Sequence, residues 1–361
     1  MEAILKDLID STSKHKESVP RQFYFNLSSS SRNWNEPTSF HLVQRLKHAQ
    51  AYLQKHFQEC QEFQSRTLYI KTKENEKEIL TSILALDIYH NCPQLLGNEE
   101  PTEMKSLLAE FITPLDGISM QDFFMYKNSN LININLTSLA ISVLLETGNL
   151  AEPPARTIAE LLKEEMLKKF QSISEDSTEN CDINAVECCN LLRLLYQLDM
   201  SGNVEEIQDF LYAYLDNRIY EDNEDSINIS FSPDAFLYFL TRAVVCYPSA
   251  EELFRDLLLQ RIFDRLGQGF GFEIKEDVEA CPAIDSSMRL VSLHCLGILH
   301  EDSALLRRLM AGEVKMLLRW QQKDGSWGLD RICKIEGNAF GGTEISSLFA
   351  MFALSFICEY K

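Results

Sequence analysis

The chain lacks a basic surplus: 34 Lys and Arg stand against 54 Asp and Glu, a net charge of −20. Nucleic acid and anionic lipid surfaces both require a basic face, so neither is an expected partner. No apolar run reaches the length of a membrane span, and no transmembrane segment is expected. The ten cysteines include no Cys-x-x-Cys pair, and several sit in apolar helical runs. Such thiols read as buried and reduced, which points to a cytoplasmic protein. Met1–Thr12 carries four charged residues and no long apolar core, so no secretory signal is expected. There is no Ser-His-Asp order, phosphate loop or glycine-rich nucleotide signature. What remains is an ordinary globular composition, 45% hydrophobic, with 21 Phe to build a core.

Residues 1–40 read as an N-terminal extension, and 41–361 as one domain built on a repeat. A charged amphipathic helix alternates with an apolar one, six times over. The charged helices are His41–Cys60, Thr102–Ile112, Ala155–Phe170, Val204–Leu215, Ala250–Leu266 and Ser303–Gln321. The apolar helices begin near Ile79, Leu136, Asn184, Asp234, Asp285 and Glu344, roughly fifty residues apart. Helices with a polar face such as Glu160-Lys163-Glu164 suit an outer layer half in water. Runs such as Ser138–Leu145 are apolar nearly all round and suit an inner layer packed on both sides. The expected class is all-α, with six inner and six outer helices. They would be arranged as an (α/α)6 toroid or as an open solenoid of helix pairs.

The last repeat closes on Leu317–Gly328. A helix reaches Gln321, a Lys-Asp-Gly turn stops it, and Trp327 folds back over the helix end. Gly325 suits the positive φ of such a turn, and Gln321 can bond the carbonyls left unpaired at a helix end. The spacing Gly312-x3-Met316-Leu317-x3-Gln321-x3-Gly325-x-Trp327 resembles the Gln-Trp repeat of squalene and other triterpene cyclases. That family and the related protein prenyltransferase β-subunits fold as α/α toroids, which favours closure of the ring. Thr343 is the expected N-cap of the final apolar helix.

The resemblance also implies a chemistry. Proton-initiated (class II) terpene cyclases carry Asp-x-Asp-Asp-Thr at an inner-helix start, and its middle Asp protonates an alkene or epoxide. Here the stretch is Ala283-Ile284-Asp285-Ser286-Ser287, so Asp285 stands in register as the catalytic acid. Two of the three carboxylates are replaced, by Ala283 and Ser286. An acid without such neighbours titrates as an ordinary carboxylate, and Asp285 equally suits the first turn of a helix. Phe236, Tyr238, Phe239, Phe349 and Phe352 would stabilise carbocations through their faces or simply pack the core. The prenyltransferase zinc ligands have no match, since Ser287 replaces the cysteine and no histidine lies near Glu344. No metal or other cofactor is therefore expected, apart from Mg2+ if the substrate is a diphosphate.

Three inner helices pair an acid near the start with an arginine further along: Asp182 with Arg193, Asp234 with Arg242, Asp285 with Arg289. At 3.6 residues per turn each pair returns to within roughly 20°, 80° and 40° of one direction. Arginines buried in apolar runs need partners. They would neutralise acids within the ring, or line one side of a central cavity and hold an anionic group. Arg193, Arg242 and Arg289, with Asp234, Tyr238 and Glu344, are accordingly the candidate substrate-binding residues. Three functions follow: an isoprenoid cyclase, a non-catalytic toroid that binds a small ligand or a protein, or a glycan hydrolase or lyase with Asp234 and Asp285 as its acid pair.

Overall fold

The computed structural model describes residues 43–53, 55, 83–88, 90–92, 134–175, 183–202, 204–222, 229–266, 283–300, 304–328, 331–335 and 338–359. The expected N-terminal extension, the outer helix Thr102–Ile112 and the acid Asp182 lie outside these residues. Helix predominates in what is described, as the alternation of apolar and amphipathic stretches requires.

Among the described residues, apart from the short helical turns Ile219–Asp222 and Ile298–His300, the helices are α1 (43–53), α2 (83–88), α3 (Ile134–Glu146), α4 (Glu152–Glu175), α5 (Ala185–Gln197), α6 (Glu205–Asp216), α7 (Pro233–Val244), α8 (Pro248–Arg265), α9 (Ala283–Cys295), α10 (Ala304–Trp320) and α11 (Thr343–Glu359). The apolar set packs in series: α3 on α5, α5 on α7, α7 on α9, α9 on α11. The amphipathic set covers it, α4 over α3 and α5, α8 over α7 and α9, and α10 over α9. Nearly every residue of α5 is buried, whereas α6 buries only Ile207, Leu211, Tyr214 and Leu215. That contrast is what the sequence pattern of the two sets predicts. No helix among the described residues is long and apolar enough to cross a membrane.

Local signals set the helix starts. Asn184 accepts from the backbone N–H of Val186 and Glu187 and so caps α5. Ser232 caps α7 by accepting from Ala235 N, and Pro233 fills the position where a missing N–H does no harm.

One departure from an all-helical chain stands at these starts. A three-stranded antiparallel sheet, β1 (Ile229–Phe231), β2 (Arg331–Ile335) and β3 (Asn338–Gly341), runs in the order β1-β2-β3. β1 leads into α7 and β3 into α11, so the sheet ties the entrances of two inner helices together. Strands this short carry too little alternation to stand out in the sequence.

The turn after α10 is built around Trp327, which is fully buried. Its indole N–H donates to Leu317 O at 2.7 Å and thereby caps α10. Gln321 was the expected capping group, but its amide instead donates to Gly325 O inside the turn and to Arg45 O of α1, each at 3.0 Å. The Trp327 backbone N–H donates to Ser347 Oγ of α11 at 3.0 Å. Gly325 takes φ +96°, and a Cβ there would stand 2.5 Å from His48 O. Backbone approach that close leaves room only for glycine. One turn thus joins α1, α10 and α11.

Candidate functional site

The candidate residues fall into two clusters at opposite ends of the inner helices. Asp234 lies in the first turn of α7 and Arg242 in its last. Eight residues at about 1.5 Å each set them roughly 12 Å apart along the axis. Asp234 and Arg242, expected as a pair from direction, are therefore not paired with each other. Spacing in the sequence gives a direction around the helix but not the height along it.

At the helix starts, Asp234 is 1% exposed and takes two bonds from Arg265 of α8, at 2.7 and 2.8 Å. Arg289 of α9 donates to the same carboxylate at 2.7 Å, and also to Glu313 of α10 at 2.9 Å and Ser286 Oγ at 3.0 Å. Arg289 thus spans inner and outer layers and does not join the other two arginines. Two arginines offset two carboxylates, so this group is neutral before Asp285 is counted.

Asp285 is then the surplus acid. It is half-buried, and its Oδ1 accepts from Ser232 Oγ at 2.8 Å. Burial and the Asp234 charge raise its pKa to about 6, against the opposing pull of Arg289, the Ser232 bond and Arg265. A lone carboxylate in the sequence becomes an acid poised near neutrality because the fold buries it and, second, because a neighbouring helix supplies the Asp234 carboxylate. Glu344 lies in the first turn of α11 and is half-buried.

The Asp285 shift has a consequence for stability. A raised acid pKa means that the folded chain holds a proton which the unfolded chain has already released. Its contribution is present below the unfolded value of 3.8 and is lost as pH rises through about 6. Asp285→Asn keeps the acceptor for Ser232 and removes the titration. The variant is expected to be more stable than wild type at pH 7 by about 2 kcal/mol, and no more stable near pH 4. Urea melts at the two pH values check this, and an equal difference at both would refute it.

At the other end, Arg193 of α5 and Arg242 of α7 share one oxygen, Asp87 Oδ1, each at 2.9 Å. Arg193 also holds both oxygens of Glu146, at 2.8 and 2.9 Å, and Gln197 donates to the same carboxylate. Burial alone would raise the Asp87 carboxyl, but the charges of Arg193 and Arg242 outweigh it and hold it below the usual carboxylate range. Tyr238, one turn before Arg242, is 1% exposed and packs edge-on against Phe349 at 5.2 Å. Burial and then the Asp87 charge push its phenol up. Phe236 turns away towards Tyr214 of α6 and towards Tyr220, so the five aromatics do not share one face.

The structure adds Asp87, Glu146, Arg265 and Glu313 to the residues singled out in the sequence. An aspartate inside Ile83-Leu84-Ala85-Leu86-Asp87-Ile88 is the one signal that could have been read, by the rule that exposed the arginines. Among the described residues no group of three or more His, Cys, Asp or Glu could hold a metal ion.

No family model, curated protein or solved structure matches this chain.

Proposed function

We propose that the chain closes into an (α/α)6 toroid and works as a binding scaffold rather than as an isoprenoid cyclase. Closure is supported at both layers. Gln321 donates to Arg45 O between α10's end and α1, and Cys92 Sγ, a few residues past α2, lies 3.2 Å from Ser355 Oγ of α11. The scaffold reading rests on one observation: inner helices that are not neighbours meet through their side chains. Tyr238 of α7 touches Phe349 of α11 past the intervening α9, and Arg242 of α7 reaches Asp87 of α2. A polyprene chain needs an open apolar cavity, and here the middle is occupied by the protein's own groups. The glycan reading loses its acid pair, because the Asp234 carboxylate is held by two arginines, Arg265 and Arg289.

The cyclase reading keeps one specific support, the raised pKa of Asp285 at an inner-helix start. Both are tested by incubating the full chain with prenyl diphosphates and squalene-like hydrocarbons, with and without Mg2+, and analysing products by mass spectrometry. No cyclised product is the expected outcome. A product that forms with wild type and is lost in Asp285→Asn would overturn the scaffold reading and install Asp285 as the acid.

A further inference from the structure

Buried polar atoms without hydrogen-bond partners are rare in folded proteins, and each asks for an explanation. Here they gather in one sector. Ser138 and Ser142 of α3 have orphaned hydroxyls, Asn190 and Arg193 of α5 an orphaned Oδ1 and Nε, and Tyr238 and Arg242 of α7 an orphaned Oη and Nε. Gln197 Oε1, one turn beyond Arg193, joins them. Elsewhere among the described residues only Tyr220 Oη and Arg289 Nε share this condition.

Helix geometry makes the sector a continuous seam. Asn135, Ser138, Ser142 and Glu146 follow one another at steps of three or four residues and so share a face of α3. That face is turned on α5 at both ends: Asn190 donates to Asn135 Oδ1 at 2.7 Å, and Arg193 to Glu146 Oε1 at 2.8 Å. The two unpartnered serines lie between these cross-links. Asn190, Arg193 and Gln197 repeat the same spacing on α5. Arg193 and Arg242 meet at Asp87 Oδ1, which brings α7 and its Tyr238 to the same place.

We propose that this seam between α3, α5 and α7 is a binding site for a neutral polyhydroxylated small molecule, of the polyol or monosaccharide class. The inference rests on the binding-scaffold reading and names its ligand chemistry. Three hydroxyls can donate or accept, two amide oxygens accept and two guanidinium N–H groups donate, so the occupant needs both functions at several positions. The arginines are already balanced by Asp87 and Glu146, which disfavours an anion. A hydrocarbon would leave every one of these atoms unpaired. The seam is shut in this structure, and shut and orphaned together mean that the closed form bears a desolvation penalty an occupant would remove. Entry is from the C-terminal ends of α3 and α7, where the Glu146 side chain is 23% exposed and Cys246 is exposed.

The test is calorimetric titration and thermal unfolding of the full chain with xylitol, sorbitol and D-glucose in the millimolar range, with inorganic phosphate as the anionic probe. A saturable response to at least one neutral probe is expected. It should weaken about tenfold or more, equivalent to about 1.4 kcal/mol, in Ser142→Ala and in Tyr238→Phe. Each variant removes only an unpartnered hydroxyl, so the fold is expected to persist, which the unperturbed helical circular dichroism checks. Stabilisation that grows only in the molar range is general surface exclusion and overturns the proposal. So do a saturable response to phosphate alone, no saturable response at all, and an undiminished response in both variants. Failure of the polyol titration without any cyclised isoprenoid removes the seam and leaves the scaffold. Cyclisation that depends on Asp285 removes the scaffold, whatever the polyols do.

Discussion

Asp87→Ala is expected to destabilise the folded chain by about 3–5 kcal/mol, because it strands two buried guanidinium groups on one missing partner. Arg193 is 1% exposed and its side chain has only Glu146 left to balance it, while Arg242 loses its 2.9 Å bond and keeps a contact to Glu146 at 3.6 Å. The damage comes from the uncompensated charges more than from the bonds. Replacing Arg193 and Arg242 by Met as well should therefore recover much of the loss, since an apolar filling of similar volume needs no counter-charge. The pH dependence has a definite sign. Asp87 has a depressed folded pKa, so its stabilisation is full above the unfolded value of 3.8 and fades as pH falls through the folded one. Urea unfolding of wild type, single and triple variants at pH 7, and of wild type and the single variant at successively lower pH, measures all three. A single variant within about 1 kcal/mol of wild type would show that the cluster is hydrated and weakly coupled.

Trp327→Ala carries an expected loss of similar size, about 3–5 kcal/mol, from the cavity left by a large buried aromatic. Trp327 is 0% exposed, and its indole N–H is the cap on Leu317 O. Trp327→Phe separates the two contributions, for it keeps most of the apolar volume and drops the bond, which costs about 1–3 kcal/mol where the carbonyl stays buried. Denaturant midpoints with unchanged slopes would establish a stability effect, while Trp327→Ala melting like wild type would remove the turn from any structural role.

The two layers were legible in the sequence because burial imposes a pattern on every turn of a helix. Starts expected at Leu136, Asn184, Asp234, Asp285 and Glu344 fall within two residues of the helices observed. The sheet was not legible, since its strands span three, five and four residues and two of them belong to one hairpin. Ion pairing was half legible. Sequence spacing gives the direction in which a side chain leaves its own helix, but partners such as Glu313 and Asp87 come from other helices at heights the spacing does not encode. The raised acid at Asp285 was hidden for the same reason, as burial comes first among its causes and the next, Asp234, is 51 residues away in the chain. Gln321 was assigned to its own helix end, whereas the indole took that place and freed the amide to reach α1.

That reach has a bearing on how the molecule assembles. The bond from Gln321 to Arg45 joins positions 276 residues apart. Each helix forms in microseconds or less once its sequence is available, but a contact of such separation must wait for everything between to be placed. The flank of α1 around His48, against which Gly325 nests, has no partner there until the last repeat is made and folded. On a ribosome adding roughly 5–20 residues per second, that interval lasts on the order of ten seconds or more. Amide hydrogen exchange during refolding should therefore find the middle helices protected early, with 43–53 and 321–327 gaining protection together and last.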